Sequence, residues 1–420
     1  MPSLRSPRSL AAVQAVSLLL LVVAGTLNYM DRSALSVTNS AIRGELHLSL
    51  SQMGLLLSAF SWSYAIAQLP IGGLIDRYRP RLVLSVGIVL WSLAQGLCGF
   101  VNSLSSFIGA RILLGIGESP QYPTGARVVS DWFPLHKRGF PTGVFNSASA
   151  LGTALAPPLL SVLLVATSWR SVFVILGAVG IVMALVWWLA YRDPNQVELK
   201  AEDRETISHG AHEAKGGFRA WGQLFGHLTT WGMILGFFGS VYLNWLYITW
   251  LPGYLQIARH MDTIHSGMAA GIPFFCGFIA CLVSGGVSDW MVKLTGSAVK
   301  GRRLLAVIAM FGMAAFTIPG ALVQDNALAL VCISVVVFLA NVASTASWAL
   351  VSSVAPRGQV ASLGAVQNFG GYIGGALAPA VTGLVVEDTH SFVPALLIGA
   401  GICSLSALAY LFGVRKAIED

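Results

Sequence analysis

The sequence predicts an all-α membrane protein whose twelve transmembrane helices form two pseudo-symmetric six-helix bundles. Three observations predict it: a composition too apolar for a soluble globule, twelve apolar runs of spanning length, and motifs of the first half that return in the second.

At 55% hydrophobic and 10% charged residues, the 420-residue chain has too little polar surface to cover a water-soluble body. Runs of about 20 apolar residues, enough to cross roughly 30 Å of hydrocarbon, fall near 11–37, 51–75, 82–101, 105–127, 139–165 and 171–191, and again near 231–256, 266–290, 303–323, 326–352, 358–386 and 392–414. The expected domains are therefore a first bundle over 1–191, a linker over 192–229 and a second bundle over 230–420. The linker is nearly balanced in sign (Arg192, Asp193, Glu198, Lys200, Glu202, Asp203, Arg204, Glu205) and carries Gly216-Gly217, as a solvated connector does.

The net charge of +7 raises nucleic acid as a partner, and its distribution excludes it. All but five of the 25 Lys and Arg, including Arg5, Arg8, Lys137, Arg138, Lys300, Arg302 and Arg303, fall on one side if the N-terminus is inside. Arg43, Arg170 and Arg259 fall outside, and Arg32 and Arg111 within the membrane. This positive-inside asymmetry places both termini in the cytoplasm. The first run ends in a charged pair and lacks a small-residue cleavage site, so it is read as a retained span. Cys98, Cys276, Cys281, Cys332 and Cys403 lie in apolar runs without metal-ligand spacing and read as packing residues.

The second half repeats the first. Leu151-Gly152-Thr153-Ala154-Leu155-Ala156-Pro157 returns as Ile373-Gly374-Gly375-Ala376-Leu377-Ala378-Pro379, a register that sets Asn146 opposite Asn368. Gly72-Gly73-Leu74-Ile75-Asp76 is echoed by Gly285-Gly286-Val287-Ser288-Asp289, and Arg138-Gly139 by Arg357-Gly358. Such duplication describes two bundles that rock about a midplane site, giving alternating access. The paired glycines predict close helix approach, and Asp76, Arg77 and Asp289 a cytoplasmic latch. Pro157-Pro158 predicts a kink.

The organising stretch is 108–129, an apolar helix that nevertheless carries Arg111 and Glu118, two turns apart and so on one side. Asp31 and Arg32 end the first span. Charges at bilayer depth cost several kcal/mol, so they face each other or a watery cavity; Asp31-Arg32 reads either as a self-compensating strut or as part of a site. Arginine keeps its charge, which suits Arg32 and Arg111 to a substrate carboxylate. Asp31 and Glu118, pulled one way by burial and the other by arginine, are proton-switchable; Arg127 is a weaker fifth member. The second half offers neutral groups instead: Tyr242, Asn244, Tyr247, Asn341, Ser344, Ser347, Trp348, Gln367, Asn368 and Tyr372, suited with Tyr64 to a polar substrate body. Trp348 fits an interfacial role equally, and Asn368 also reads as helix-to-helix glue.

Other chemistries are poorly served. All eight histidines fall in loops or at span edges, which excludes a membrane haem site; no mid-span lysine exists for retinal; and no G-x-x-x-x-G-K-[ST] loop exists for ATP.

Gly72-x-Leu74-x-Asp76-Arg77, Asn28-Tyr29-x-Asp31-Arg32 and Arg111-x-x-x-Gly115-x-x-Glu118-x-Pro120-x-x-Pro123 together resemble the major facilitator superfamily, and within it the anion:cation symporter branch of galactonate, hexuronate, glucarate, sialin-type and vesicular glutamate carriers. The resemblance covers essentially the whole chain. It implies the major facilitator fold, no enzyme activity, and proton-driven uptake of a hexonate, hexuronate or aldarate, with protons as the coupling ion and no other cofactor or metal. It further implies that Asp31 and Glu118 carry protons, that Arg32, Tyr64 and Asn368 contact the sugar acid, and that Arg111 tunes Glu118 or the substrate. Ser149, Tyr242, Asn244 and Trp348 complete the expected substrate set, with lipid and small anions as partners, no nucleic acid, and a monomer as the working unit. An exchanger or uniporter for an aromatic or dicarboxylic acid would use the same cavity. Two residues depart from the pattern: Arg79, where the superfamily's loop usually has Gly, and Ser149, where galactonate transporters have Gln.

Overall fold

The computed structural model describes residues 9–134, 139–199, 224–356 and 359–418, without the side chains of residues 69, 72, 73, 76, 139 and 361. Arg5, Arg8, the basic turn at 135–138, most of the linker, the Arg357-Gly358 echo and the Asp76 side chain lie outside the described residues.

Thirteen α-helices account for the described fold: α1 Leu10–Val37, α2 Asn39–Leu46, α3 Leu50–Cys98, α4 Leu104–Glu118, α5 Gln121–Trp132, α6 Gly139–Ala166, α7 Trp169–Ala190, α8 Leu228–Ile257, α9 Thr263–Thr295, α10 Ala298–Leu322, α11 Asn326–Val354, α12 Val360–Thr389 and α13 Phe392–Gly413. Ser or Asp caps most of them at the N-terminus: Ser9, Ser49, Ser103, Ser168, Asp262, Ser297, Asp325 and Ser391 each accept a backbone N–H of the first turn. Ten described stretches are long and apolar enough to cross a membrane. The other two expected spans are the first part of α3 and the α4–α5 pair. Leu19, Ile66, Val182, Leu282 and Ile308 stand exposed on the outside, the surface that hydrocarbon covers.

Three features depart from the expected spans. The second and third run on within α3, interrupted by Arg79 at φ 69°, ψ 155° just before Pro80. The fourth breaks at Ser119-Pro120, because proline offers no N–H to the Ile116 carbonyl; the Ser119 hydroxyl and N–H satisfy it instead, at 2.8 and 3.4 Å. A short helix, α2, comes after the first span.

The repeat is mechanical. Gly152 of α6 leaves room for the Thr26 carbonyl of α1, which a Cβ would meet at 2.5 Å, and Gly374 of α12 does the same for the Phe238 carbonyl of α8, at 2.4 Å. Each half thus packs its fifth span tightly on its first. The halves meet along two equivalent seams, α3 with α12 and α6 with α9.

Those seams are closed toward one face. We call the face where α1 begins and α13 ends the terminal face. Toward the opposite, far face, Ser36 donates to the Thr249 carbonyl (2.6 Å), Ser58 to the Ala376 carbonyl (2.6 Å) and the Ser51 N–H to Glu387 (2.6 Å), while Gly271 lies against Pro158. Toward the terminal face the same α6 stripe is uncovered, with Asn146 exposed and Gly143 facing open space. Gly285 and Gly286 also face open space, and Asp289 is exposed, so the close approach expected of these glycines is not made. Arg77 is exposed and lies over Tyr78 (5.2 Å). The described halves are therefore joined on the far side and parted on the terminal side.

Candidate substrate site

The deepest charges gather where the closed part of the seam begins. Arg32 Nε donates to Glu118 Oε2 at 2.7 Å, with the two side chains 2% and 0% exposed. The helices make this meeting possible through Gly115: a Cβ there would lie 2.1 Å from Ser63 Oγ and 2.6 Å from the Phe60 carbonyl, so α4 presses directly on α3. One turn earlier the same approach sets Arg111 over the Phe60 ring, 5.2 Å from its centre.

Three rings surround the Arg32 guanidinium: Tyr29, one turn back on α1 (4.6 Å), Phe60 (4.8 Å) and Tyr64 (4.7 Å). Each such contact contributes about 2 kcal/mol when desolvated. Having given Nε to Glu118, Arg32 keeps Nη1 and Nη2 buried without a hydrogen-bond partner; Arg111 likewise keeps Nε and Nη1, and Glu118 keeps Oε1. Breaking a buried pair of this kind costs about 3–5 kcal/mol, since it strands a charge. Asp31 is 2% exposed and has Glu118, Arg111 and Arg32 as electrostatic neighbours; its carbonyl accepts from Gln95 Nε2 at 3.4 Å. The adjacent residues thus belong to different surroundings, Arg32 among aromatic rings and Asp31 beside Gln95 and Arg111.

The second half supplies aromatic surface. Tyr372 packs on Tyr64 (centroids 4.9 Å), and Trp245 on both Phe60 and Tyr372 (6.5 Å each). Gln68 Nε2 donates to the Tyr64 hydroxyl at 3.0 Å. Asn368, one turn from Tyr372, is half-buried, and Ser149 sits on the uncovered stripe of α6 with its hydroxyl donating to the Asn146 carbonyl (2.7 Å).

Several other expected members have their described contacts away from the ion pair. The Tyr242 ring packs near Phe238 and Gly399. Asn244 is half-buried, with no described tie to the ion pair. Trp348 is 45% exposed and stands edge-on to Phe237. Tyr247 donates to Thr317 (3.4 Å), Asn341 to the Val337 carbonyl (2.9 Å), and Gln367 accepts from Tyr410 (3.4 Å), all within the second half. Arg127 pairs with Asp131 at 2.8 Å on an exposed helix turn. Sequence reasoning misses Tyr29, Phe60 and Trp245 as neighbours of the ion pair and its aromatic surround, because aromatic residues in apolar runs read as core.

Two duplicated bundles, joined at one face, parted at the other and holding a buried ion pair where the join begins, define a membrane transporter rather than an enzyme. The chain belongs to the Major Facilitator Superfamily, whose profile matches residues 21–379. It is 42% identical over 411 residues to a probable L-galactonate transporter of Escherichia coli strain K12, covering 97% of this chain and 91% of that one. It is 32% identical over 403 residues to a hexuronate transporter of Bacillus subtilis strain 168, covering 96% and 94%. Among solved structures, a bacterial homologue of the human lysosomal transporter Spinster, inward-facing and occupied, shares the fold with a TM-score of 0.76 at 19% identity, covering 96% of this chain and 97% of that one.

Proposed function

We propose that this protein imports a sugar acid, a hexonate or hexuronate, together with protons, across a bacterial inner membrane, with the terminal face in the cytoplasm. The observation that carries the reading is the Arg32–Glu118 pair: a buried guanidinium held through Nε alone, with Nη1 and Nη2 unengaged. A carboxylate fits that fork in bidentate fashion.

A proton on Glu118 cancels its charge, frees Arg32 for the incoming anion, and makes one movement depend on the other. Asp31 and Arg111 form a second carboxylate and guanidinium behind it, and the Asp31 carboxylate allows a second proton. Tyr64 accepts from Gln68 and keeps its own hydroxyl proton for the substrate. Asn368 and Tyr372 contribute from the second half. The galactonate and hexuronate relatives support the substrate class. Arg81, Arg192, Arg302, Arg303, Arg415 and Lys416 at the terminal face support its cytoplasmic orientation.

The test is uptake into proteoliposomes. Accumulation of L-galactonate should require an inward proton gradient, and Glu118→Gln should abolish accumulation while leaving counterflow exchange. A Glu118→Gln protein that still concentrates substrate removes Glu118 from the coupling role, and transport without proton flux points to an exchanger or uniporter.

A further inference from the structure

Tyr122 stands one helical turn past Glu118, in the first turn of α5. Its hydroxyl is buried and has no hydrogen-bond partner. Its ring is fixed on both sides, edge-on to Tyr29 (centroids 6.3 Å, 83°) and against Phe145 (5.2 Å). Tyr29 is in turn one of the rings under the Arg32 guanidinium, 4.6 Å away. The Ser149 hydroxyl faces Tyr122 and directs its own proton to the Asn146 carbonyl at 2.7 Å.

A buried hydroxyl is seldom left unmade, because nothing repays its lost water. Here the residue at 149 is short. Its hydroxyl is already given to the Asn146 carbonyl. The Tyr29 ring touches both the Arg32 guanidinium (4.6 Å) and the Tyr122 ring (6.3 Å), which sets the two groups around one aromatic residue.

We propose that the Tyr122 hydroxyl is a specificity-determining substrate contact, hydrogen-bonded to a hydroxyl of the sugar-acid chain while Arg32 holds its carboxylate. The inference rests on the sugar-acid reading of the site. It assigns discrimination between a hydroxylated chain and a bare one to Tyr122, since a site built to bond a hydroxyl loses affinity sharply when that bond is missing.

Calorimetric titration of the purified full-length protein in detergent tests it, with L-galactonate and hexanoate as probes and Tyr122→Phe as the variant, which keeps the ring and its packing. The expected result is L-galactonate affinity reduced about tenfold, the scale of one lost hydrogen bond, with hexanoate binding and the melting temperature unchanged. Equal affinity of wild type and Tyr122→Phe for L-galactonate overturns the inference, as does an equal loss for both probes. Wild-type protein that binds no sugar acid overturns the functional reading and the inference together, so the two failures are distinguishable.

Discussion

The Glu387 carboxylate accepts a 2.6 Å hydrogen bond from the backbone N–H of Ser51, so the last turn of one half's helix caps the first turn of the other half's. An N-terminal turn presents unpaired N–H groups and the positive end of its dipole, and a carboxylate answers both. This contact sits at the far face and must part whenever that face opens. Glu387→Ala should therefore shift the population toward a far-open state. Spin labels at Gly44 and Asp388 would read it as a longer distance component that grows in the variant; an unchanged distribution means the closure is held elsewhere.

Arg79 occupies a backbone region that is essentially glycine's, φ 69° with ψ 155°. The next two residues hold it there. Pro80 keeps its predecessor out of the helical region. Arg81 is anchored through its N–H to Asp193 Oδ1 (3.3 Å) and through its guanidinium to the Trp188 carbonyl (2.7 Å) and Gln196 (3.2 Å). Such strain costs about 1–3 kcal/mol, against which glycine brings about 1 kcal/mol of extra unfolded-state entropy. Arg79→Gly should stabilise the fold by a net of about 1 kcal/mol, read as a higher thermal midpoint in detergent. A lower midpoint would show that the Arg79 side chain contributes more than its backbone costs.

The charges were legible in the sequence because ionised residues inside apolar runs are few and costly: Arg32, Asp31, Arg111 and Glu118 stood out without any structure, and the structure places them together. The duplication was legible for a similar reason, since Gly152 and Gly374 keep their register only if both halves need the same close approach. Of the aromatic surround, Tyr64 and Tyr372 were legible and the rest was not. Tyr29, Phe60 and Trp245 belong to a residue class that also fills cores and faces lipid, and only the third dimension separates those uses. Nor does spacing along the chain show that Tyr247, Asn341 and Gln367 satisfy groups within their own half. The Ser119-Pro120 break was readable in principle, as a proline directly after the charged turn.

Glu45 gives a pH test away from the membrane-spanning helices. Hydrogen bonds from Trp169 Nε1 and from Arg170 (2.8 and 3.1 Å) hold its carboxyl below the usual carboxylate range, tying α2 to the start of α7. A group lowered in the folded state adds stability that is present in full above its unfolded value of about 4.3 and is lost as the pH falls through the folded value. Glu45→Gln should thus melt earlier than wild type at pH 7, and the difference should shrink as the pH is taken below about 4. A pH-independent difference would assign the effect to packing.

Arg32→Lys separates charge from geometry. Lysine keeps the positive charge and can satisfy Glu118, but its single ammonium cannot hold Glu118 on one edge while presenting two parallel donors to a carboxylate on another. It also loses the flat face that Tyr29, Phe60 and Tyr64 surround at 4.6 to 4.8 Å. The variant should fold, because the buried carboxylate is still paired, yet bind substrate on the order of a hundredfold more weakly, as expected for a lost bidentate, charge-assisted contact of about 2–3 kcal/mol. Titration of L-galactonate into Arg32→Lys, with a melting curve beside it, reads both halves of the expectation. Retained affinity would mean that a point charge suffices and that the fork geometry is incidental, whereas a collapsed melting curve would mean that Glu118 needs the guanidinium itself.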